Sequence, residues 1–386
     1  MSAQRKVCVV VTARASYARV RSALAAVRDH PMLELQLVMA ASALLERYGN
    51  AASVVEDEGF EVTRRVHTIV EGESLITSAK STGLGLVELS TVFADLRPDV
   101  VVTIADRFET MASAVAAAYM NIPLAHIQGG EITGSIDEKV RHAVTKLADQ
   151  HFVATDRARE RVIRMGERPE AVHMTGCPSL DLAKRVAGGR REAPLAGRAI
   201  PGVGPDVDLT ADYVVVLQHP VTTEHDRAHE QVLETLHAVD GAGIPALWFW
   251  PNVDAGSDGT SKGIRTFRET RPSSHIHFLR NLPPEDFLNL LARSRCIVGN
   301  SSVAIRECSF LGVPAVNIGT RQAGRDRGRN VVDCDYDRAA ITRALDAQIQ
   351  RGAIEPERLY GDGEAGRRIA ELLATVELTH EKQLTY

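Results

Sequence analysis

The chain has 386 residues, 44% of them hydrophobic, with a formal net charge of -5 and a pI near 6.2. That length exceeds one ordinary domain and suits two, each with enough apolar content to fill a core. The mildly acidic balance and the lack of a sustained Lys/Arg tract argue against a nucleic-acid partner, and no apolar run approaches the roughly 18 residues that cross a bilayer. Five cysteines (Cys8, Cys177, Cys296, Cys308, Cys334) are scattered without C-x-x-C spacing, which predicts neither a zinc site nor a disulfide framework. The opening MSAQRKVCVVV runs straight into a strand pattern without the apolar length or cleavage site of a signal peptide, so the expected location is cytoplasmic.

Residues 7–11 form an apolar, mostly β-branched run, the pattern of a strand buried on both faces of a parallel sheet. A loop at 12–17 follows, and then Val20, Leu24 and Val27 recur at helical spacing. Further strands are expected at 35–39, 100–104, 122–126 and 151–154, with helices between them such as 78–96 and 107–120. No G-x-G-x-x-G follows the first strand, which excludes dinucleotide binding in that mode. Residues 187–208, AGGRREAPLAGRAIPGVGPDVD, lose apolar periodicity and read as a linker. Alternation resumes with strands at 213–217, 246–250, 276–279, 296–298 and 315–318 and helices at 228–239 and 285–292. The expected architecture is therefore two Rossmann-like, doubly wound α/β domains facing across a cleft. The first spans 1–186 and is completed by a C-terminal helix within 365–386; the second spans 209–364.

In such sheets chemistry gathers at the carboxyl ends of strands. The strand at 100–104 is followed by Asp106 and Arg107, and the strand at 122–126 by Gln128, Gly129, Gly130 and Glu131, with Asp137 close behind. Three converging carboxylates would raise one another's proton affinity, as general acids and bases near neutral pH require. The plainer alternative is that Asp106 caps a helix, Glu131 opens a turn and Asp137 pairs with Arg141. In the second half, Ser301 and Ser302 stand between a strand and a helix, where they read either as an N-cap or as an anion site at the helix's positive end. Glu307, on the first turns of that helix, is placed to accept from a pair of ribose hydroxyls. A phosphate grip beside a sugar grip suggests a nucleotide. His219, directly after a buried strand, is either a phosphate ligand or a structural histidine; Asn252 lies in a polar loop that ends another strand. Arg321 is a bidentate donor suited to pyrophosphate. Asp333-Cys334-Asp335 has the D-x-D pattern of some metal-dependent sugar transferases, yet Arg14, Arg107 and Arg321 supply charge enough to neutralise a diphosphate, so no metal or other cofactor is expected.

The motifs HTIVEGES, ADRFET, HIQGGEITGSIDEKVRHAVTKLA, GCPSLD, LQHPVTTE, PNVDAGSDG, GNSSVAIRE, GVPAVNIGTRQAGR and YGDG occur in that order over nearly the whole chain. Together they resemble the hydrolysing UDP-N-acetylglucosamine 2-epimerases, which include bacterial sialic acid pathway enzymes and the epimerase half of the bifunctional animal enzyme. The resemblance implies a glycosyltransferase B type fold with UDP held mainly by the second domain. It further implies UDP ligands at Arg14, Arg107, His219, Asn252, Ser301, Ser302, Glu307 and Arg321, catalytic carboxylates at Asp106, Glu131 and Asp137, a role for His219 in the site chemistry, and a homodimer or homotetramer. The family pattern R-A-D/E-Y is broken here by Ser16, Gln128 stands where some relatives carry glutamate, and Ala105 replaces a frequent glycine. Lys262, Arg265 and Arg268 resemble the region where the animal enzyme binds its feedback inhibitor, but as residues they read first as a solvated basic helix face. The implied reaction eliminates UDP to a glycal and hydrates it to UDP and N-acetylmannosamine. The rivals are a non-hydrolysing epimerase, a glycosyltransferase on the same fold, and a nucleotide-sugar-binding protein without chemistry.

Overall fold

The computed structural model describes residues 4–46, 51–72, 74–104, 107–133, 137–189, 195, 198–251 and 256–385. Two compact units are present: Met1–Glu131 with Asp137–Asp181 and Tyr360–Tyr386, and Ile132–Ile136 with Leu182–Leu359. In the first, β1 (Arg5–Val11), α1 (Arg14–Asp29), β2 (Leu33–Ala40), α2 (Ala51–Asp57), β3 (Arg64–Val66), α3 (Leu75–Leu96) and β4 (Val100–Ile104) lead into α4 (Phe108–Tyr119) and β5 (Leu124–Ile127). Then come α5 (Asp137–Leu147), β6 (Gln150–Val153), α6 (Asp156–Arg164) and β7 (Val172–Met174). All pairings are parallel in the order β3-β2-β1-β4-β5-β6-β7, so the strand order reverses between β1 and β4.

Burial explains the strand choice. Val7, Val9 and Val11 point into a layer shared with Tyr17, Val20 and Leu24 of α1, while Cys8 and Val10 point into another with Val38, Leu89 and Phe93. A strand covered on both faces needs the continuous apolar run seen in the sequence. The helix α7 (Ser179–Gly188) carries the chain onward.

The second unit repeats the scheme with β8 (Val214–Leu217), α8 (Ala228–Gly241), β9 (Ala246–Phe249), α9 (Ser257–Thr270), β10 (Ile276–Leu279), α10 (Pro284–Arg293) and β11 (Cys296–Gly299). It closes with α11 (Glu307–Leu311), β12 (Ala315–Ile318), β13 (Val331–Cys334) and α12 (Arg338–Arg351). Its six strands are parallel in the order β10-β9-β8-β11-β12-β13. Trp248, Phe267 and Ile297 are among its fully buried side chains. Both sheets are doubly wound, as the alternation predicts.

The last helix, α13 (Ala365–Thr375), belongs to the first unit, where Ile369, Ala370 and Leu373 enter the α1 layer. The units divide after Asp181 and before Tyr360, earlier on both sides than the expected 186 and 364. Hydrogen bonds give the reason: Cys177 N donates to Tyr360 O at 2.8 Å, and the Asp181 carboxylate caps α13 by accepting from Ala365 N (2.9 Å) and Gly366 N (2.7 Å). Within the stretch read as a linker, Val203 pairs with the second sheet, exchanging two 2.8 Å backbone bonds with Phe278. Among the described residues no helix is long and apolar enough to cross a membrane. All five cysteines are free thiols, and burial pushes Cys8 and Cys296 up to about 12.

Candidate functional site

In the first unit, Arg14 is the first residue of α1 and not part of a loop; burial pulls its guanidinium below its ordinary pKa. Ser16, two residues further on, is 4% exposed. Arg107 is the N-cap residue of α4, and its Nε and Nη2 reach Glu109 Oε2 (3.2 Å) and Oε1 (3.4 Å). Glu109 is itself buried. The guanidinium is thereby held in one orientation by a carboxylate from its own helix. Asp106 and Asn252 lie outside the described residues.

At the end of β5 the backbone is strained. Gln128 has φ +67° although it is not glycine, and it is 1% exposed with Nε2 2.9 Å from Cys177 Sγ. Its Oε1 is buried without a hydrogen-bond partner among the described residues. Such strain persists only where the surroundings over-determine it, and it gathers at functional sites. Gly130 must be glycine, since its φ is +75° and an added Cβ would sit 2.3 Å from Ala158 O. Glu131 follows, 3% exposed, and its carbonyl accepts from Arg141 Nη1 at 2.8 Å. Arg141 is 1% exposed on α5, one turn after Asp137, the first residue of that helix. One buried guanidinium thus ties the segment of Glu131 to the helix of Asp137.

In the second unit the helix expected directly after Ser302 is broken. A 3-10 turn, Ser302–Ala304, precedes the five-residue α11. Ala304 O, which a continuous helix would give to Cys308 N, accepts from Asn330 Nδ2 at 2.8 Å. The anion site built from helix amides loses its basis here, because these donors are spent inside the turn. Val303 N donates to Ser301 Oγ, Ala304 N to Ser301 O, and Ile305 N and Arg306 N to Ser302 O. Ser301 is an N-cap in this structure, and Ser301 and Ser302 offer hydroxyls rather than a helix dipole. Glu307 begins α11, is 7% exposed, and leaves Oε2 buried without a hydrogen-bond partner among the described residues. A buried carboxylate oxygen is costly unless it accepts a bond, so this one is suited to hydroxyl donors.

Asn300, which the sequence does not single out, organises this region. Its side chain pairs with the backbone of His219, accepting from N and donating to O, both at 2.8 Å, and Nδ2 also reaches Tyr336 Oη at 3.3 Å. Its carbonyl accepts from Gln322 Nε2 (2.9 Å) and Arg321 Nη1 (3.3 Å). Three segments carrying His219, Ser301 with Ser302, and Arg321 therefore converge on one fully buried asparagine, through its side chain and its backbone carbonyl. The only sequence signal is an asparagine at a strand end, too common to have marked it. Arg141 is readable in the sequence only as a pairing partner for Asp137, not as the donor to the Glu131 carbonyl.

Asp333 of the D-x-D triplet lies on the edge strand β13, where its carboxylate accepts from Asn317 Nδ2 (2.7 Å) and pairs with Arg327 Nε (2.8 Å). On α9, Lys262 and Arg265 are exposed and Arg268 stacks over the Phe278 ring at 5.7 Å. Arg265 and Arg268, with Arg271 and Val203 to Pro205, line a cavity of about 360 Å³.

The family model described as UDP-N-acetylglucosamine 2-epimerase matches residues 25–374. The UDP-N,N'-diacetylbacillosamine 2-epimerase (hydrolyzing) of Legionella pneumophila is 30% identical over 374 residues, covering 97% of each chain. The UDP-N-acetylglucosamine 2-epimerase of Neisseria meningitidis serogroup B is 27% identical over 97% of this chain and 96% of its own. A crystal structure of UDP-GlcNAc 2-epimerase from Neisseria meningitidis bound to UDP-GlcNAc superposes with a TM-score of 0.78 at 18% identity, covering 95% of this chain and 99% of that one.

Proposed function

Since the chain belongs to the UDP-N-acetylglucosamine 2-epimerase family, we propose that it is a hydrolysing 2-epimerase, converting UDP-N-acetylglucosamine or a close 2-acetamido UDP-sugar, with water, to UDP and the free 2-epimeric sugar. The observation that carries the hydrolytic reading is the end-to-end match to the Legionella pneumophila enzyme named as hydrolysing. The second acetamido group in that enzyme's named substrate makes UDP-diacetylbacillosamine the first analogue to try.

The first unit supplies proton carriers and the second holds the nucleotide. A carboxylate among Asp106, Glu131 and Asp137 removes the proton at C2 while the C1–O bond to UDP breaks, giving a glycal. Negative charge growing on the diphosphate is met by Arg321, with Arg14 and Arg107, and by the Ser301 and Ser302 hydroxyls, while His219 hydrogen-bonds the phosphate. Glu307 accepts from ribose hydroxyls. A second acid returns a proton to C2 from the opposite face, inverting that centre, and water adds at C1. Inversion requires acids on both faces, which is why a single carboxylate does not suffice.

Incubation with UDP-N-acetylglucosamine in deuterated water tests the proposal. Free N-acetylmannosamine deuterated at C2, released with UDP, is the expected outcome. UDP-N-acetylmannosamine without free sugar would show the non-hydrolysing reaction instead, and no turnover until an acceptor is added would show a glycosyltransferase.

A further inference from the structure

The first sheet reverses its strand order between β1 and β4, and ligands of doubly wound sheets meet the loops at the carboxyl ends of strands beside such a switch. Three of these loops are joined through buried polar groups. The chain leaving β2 turns at once: Ala41 takes φ +53°, a left-handed conformation uncommon outside glycine, and opens the 3-10 turn Ala41–Leu44. That turn is anchored on the loop after β1, because Thr12 O accepts from Ala43 N at 3.1 Å and from Ser42 Oγ at 3.0 Å, two residues before Arg14. Ser42 Oγ also stands 3.5 Å from Glu109 Oε1, and Glu109 in turn holds Arg107, which follows β4. Thr12, Ser42 and Glu109 are all buried.

The fold gains little from a carboxylate at position 109. Burying an ion pair seldom stabilises a protein, since desolvation of the two charges offsets their attraction, and an apolar side chain of similar volume fills a core as well. What an apolar side chain cannot do is orient a guanidinium. Glu109 meets Arg107 at two nitrogens, Nε and Nη2, the fork geometry that sets the plane of the group as well as its place. The Arg107 side chain is 15% exposed where that of Glu109 is 4% exposed, so an anion arriving from solvent meets the guanidinium and not the carboxylate. An arginine held in advance also gives up less rotamer freedom on binding than one that its ligand must order.

We propose that Glu109 is a positioning residue for the substrate's diphosphate: it acts through Arg107, holding the guanidinium in the orientation that receives phosphate, and ties it through Ser42 to the loop that leads to Arg14. The inference rests on the reading of Arg107 as a diphosphate contact. Calorimetric titration of the full chain with UDP tests it as a double-mutant cycle. E109Q keeps the side-chain volume but has one acceptor oxygen in place of two, and should weaken UDP binding about tenfold while melting within about 3 °C of wild type. E109M, apolar and of similar volume, should show the same loss. R107A should weaken binding at least as much as E109Q, and R107A/E109Q should bind within about twofold of R107A, because Glu109 then has nothing left to orient. Losses that add would mean that Glu109 acts on its own account and would overturn the assignment, as would failure of both E109Q and E109M to fold. R107A with wild-type affinity would remove the diphosphate contact and the assignment with it. A wild type that binds UDP yet leaves UDP-N-acetylglucosamine unchanged would sink the proposed reaction alone, with the cycle still deciding the role of Glu109.

Discussion

At the scale of single residues, the sequence exposes chemistry where type and position coincide and hides it where a role is conferred by folding. Glu131 and Asp137 stand at the ends of recognisable elements and are legible as candidate acids. If they exchange protons with C2, E131Q and D137N should each lower the rate of C2 deuterium incorporation by about 10²- to 10⁴-fold while UDP affinity by calorimetry stays within about threefold. Asn300 was illegible, because its importance lies in pairing with the backbone of His219 and in accepting from Gln322 and Arg321, partners that sequence cannot foresee. In N300D the acceptor for His219 N survives, but the donor to His219 O is lost and a carboxylate faces that carbonyl. Leaving a buried carbonyl unbonded costs about 1 to 3 kcal/mol. UDP affinity should therefore fall roughly 10- to 100-fold, with KM rising more than kcat falls.

Elements were legible in proportion to their length and burial. The buried, continuously apolar strands β1, β4 and β8 announce themselves, whereas β3, β7 and β13 do not. They are three- or four-residue strands at or near a sheet edge, carrying Arg64, Arg65, His173 and Asp333 in place of an apolar run. The break between Ser302 and α11 was equally hidden, since the asparagine that claims Ala304 O comes from position 330. The turn after β5 is the opposite case, with paired glycines whose demand is now explicit. G130A should lower the first unit's stability by at least about 2 kcal/mol through the clash with Ala158 O and the positive φ, a fall of about 5 °C in melting temperature. The C-terminal strap is held by one buried carboxylate. Glu167 accepts from His151 Nε2 at 3.1 Å, Lys146 Nζ at 2.5 Å and Lys382 Nζ at 2.6 Å. Burial alone would raise Glu167, but these three donors overturn that and hold it at about 2. Its contribution is complete above the ordinary carboxylate value of 4.5 and disappears as pH falls toward 2. E167Q should therefore melt lower than wild type at pH 7, and the gap should close between about pH 4.5 and 2 in a series of thermal melts. Burial also pulls His151 below 6.5, so a separate loss of stability should begin under that pH in both proteins.

For the whole molecule, the division into two α/β units is readable from the alternation of strands and helices, because each doubly wound sheet needs helices on both faces. The return of the chain to its first unit is harder to read, as it depends on Asp181 capping α13 and on Ile369, Ala370 and Leu373 completing a layer begun by α1. Removing residues 360–386 should abolish the cooperative melting of the first unit while the second retains its own transition, a difference that calorimetry resolves. The same connectivity sets the order of events on the ribosome. Residues 182–359 are emitted as one uninterrupted run and can become compact while translation continues, whereas the unit begun earlier must wait, its α1 surface uncovered, until residues 360–386 have been made. Slow synthesis of that segment, or its loss, leaves the earlier-made unit as the part of the nascent chain most in need of a chaperone.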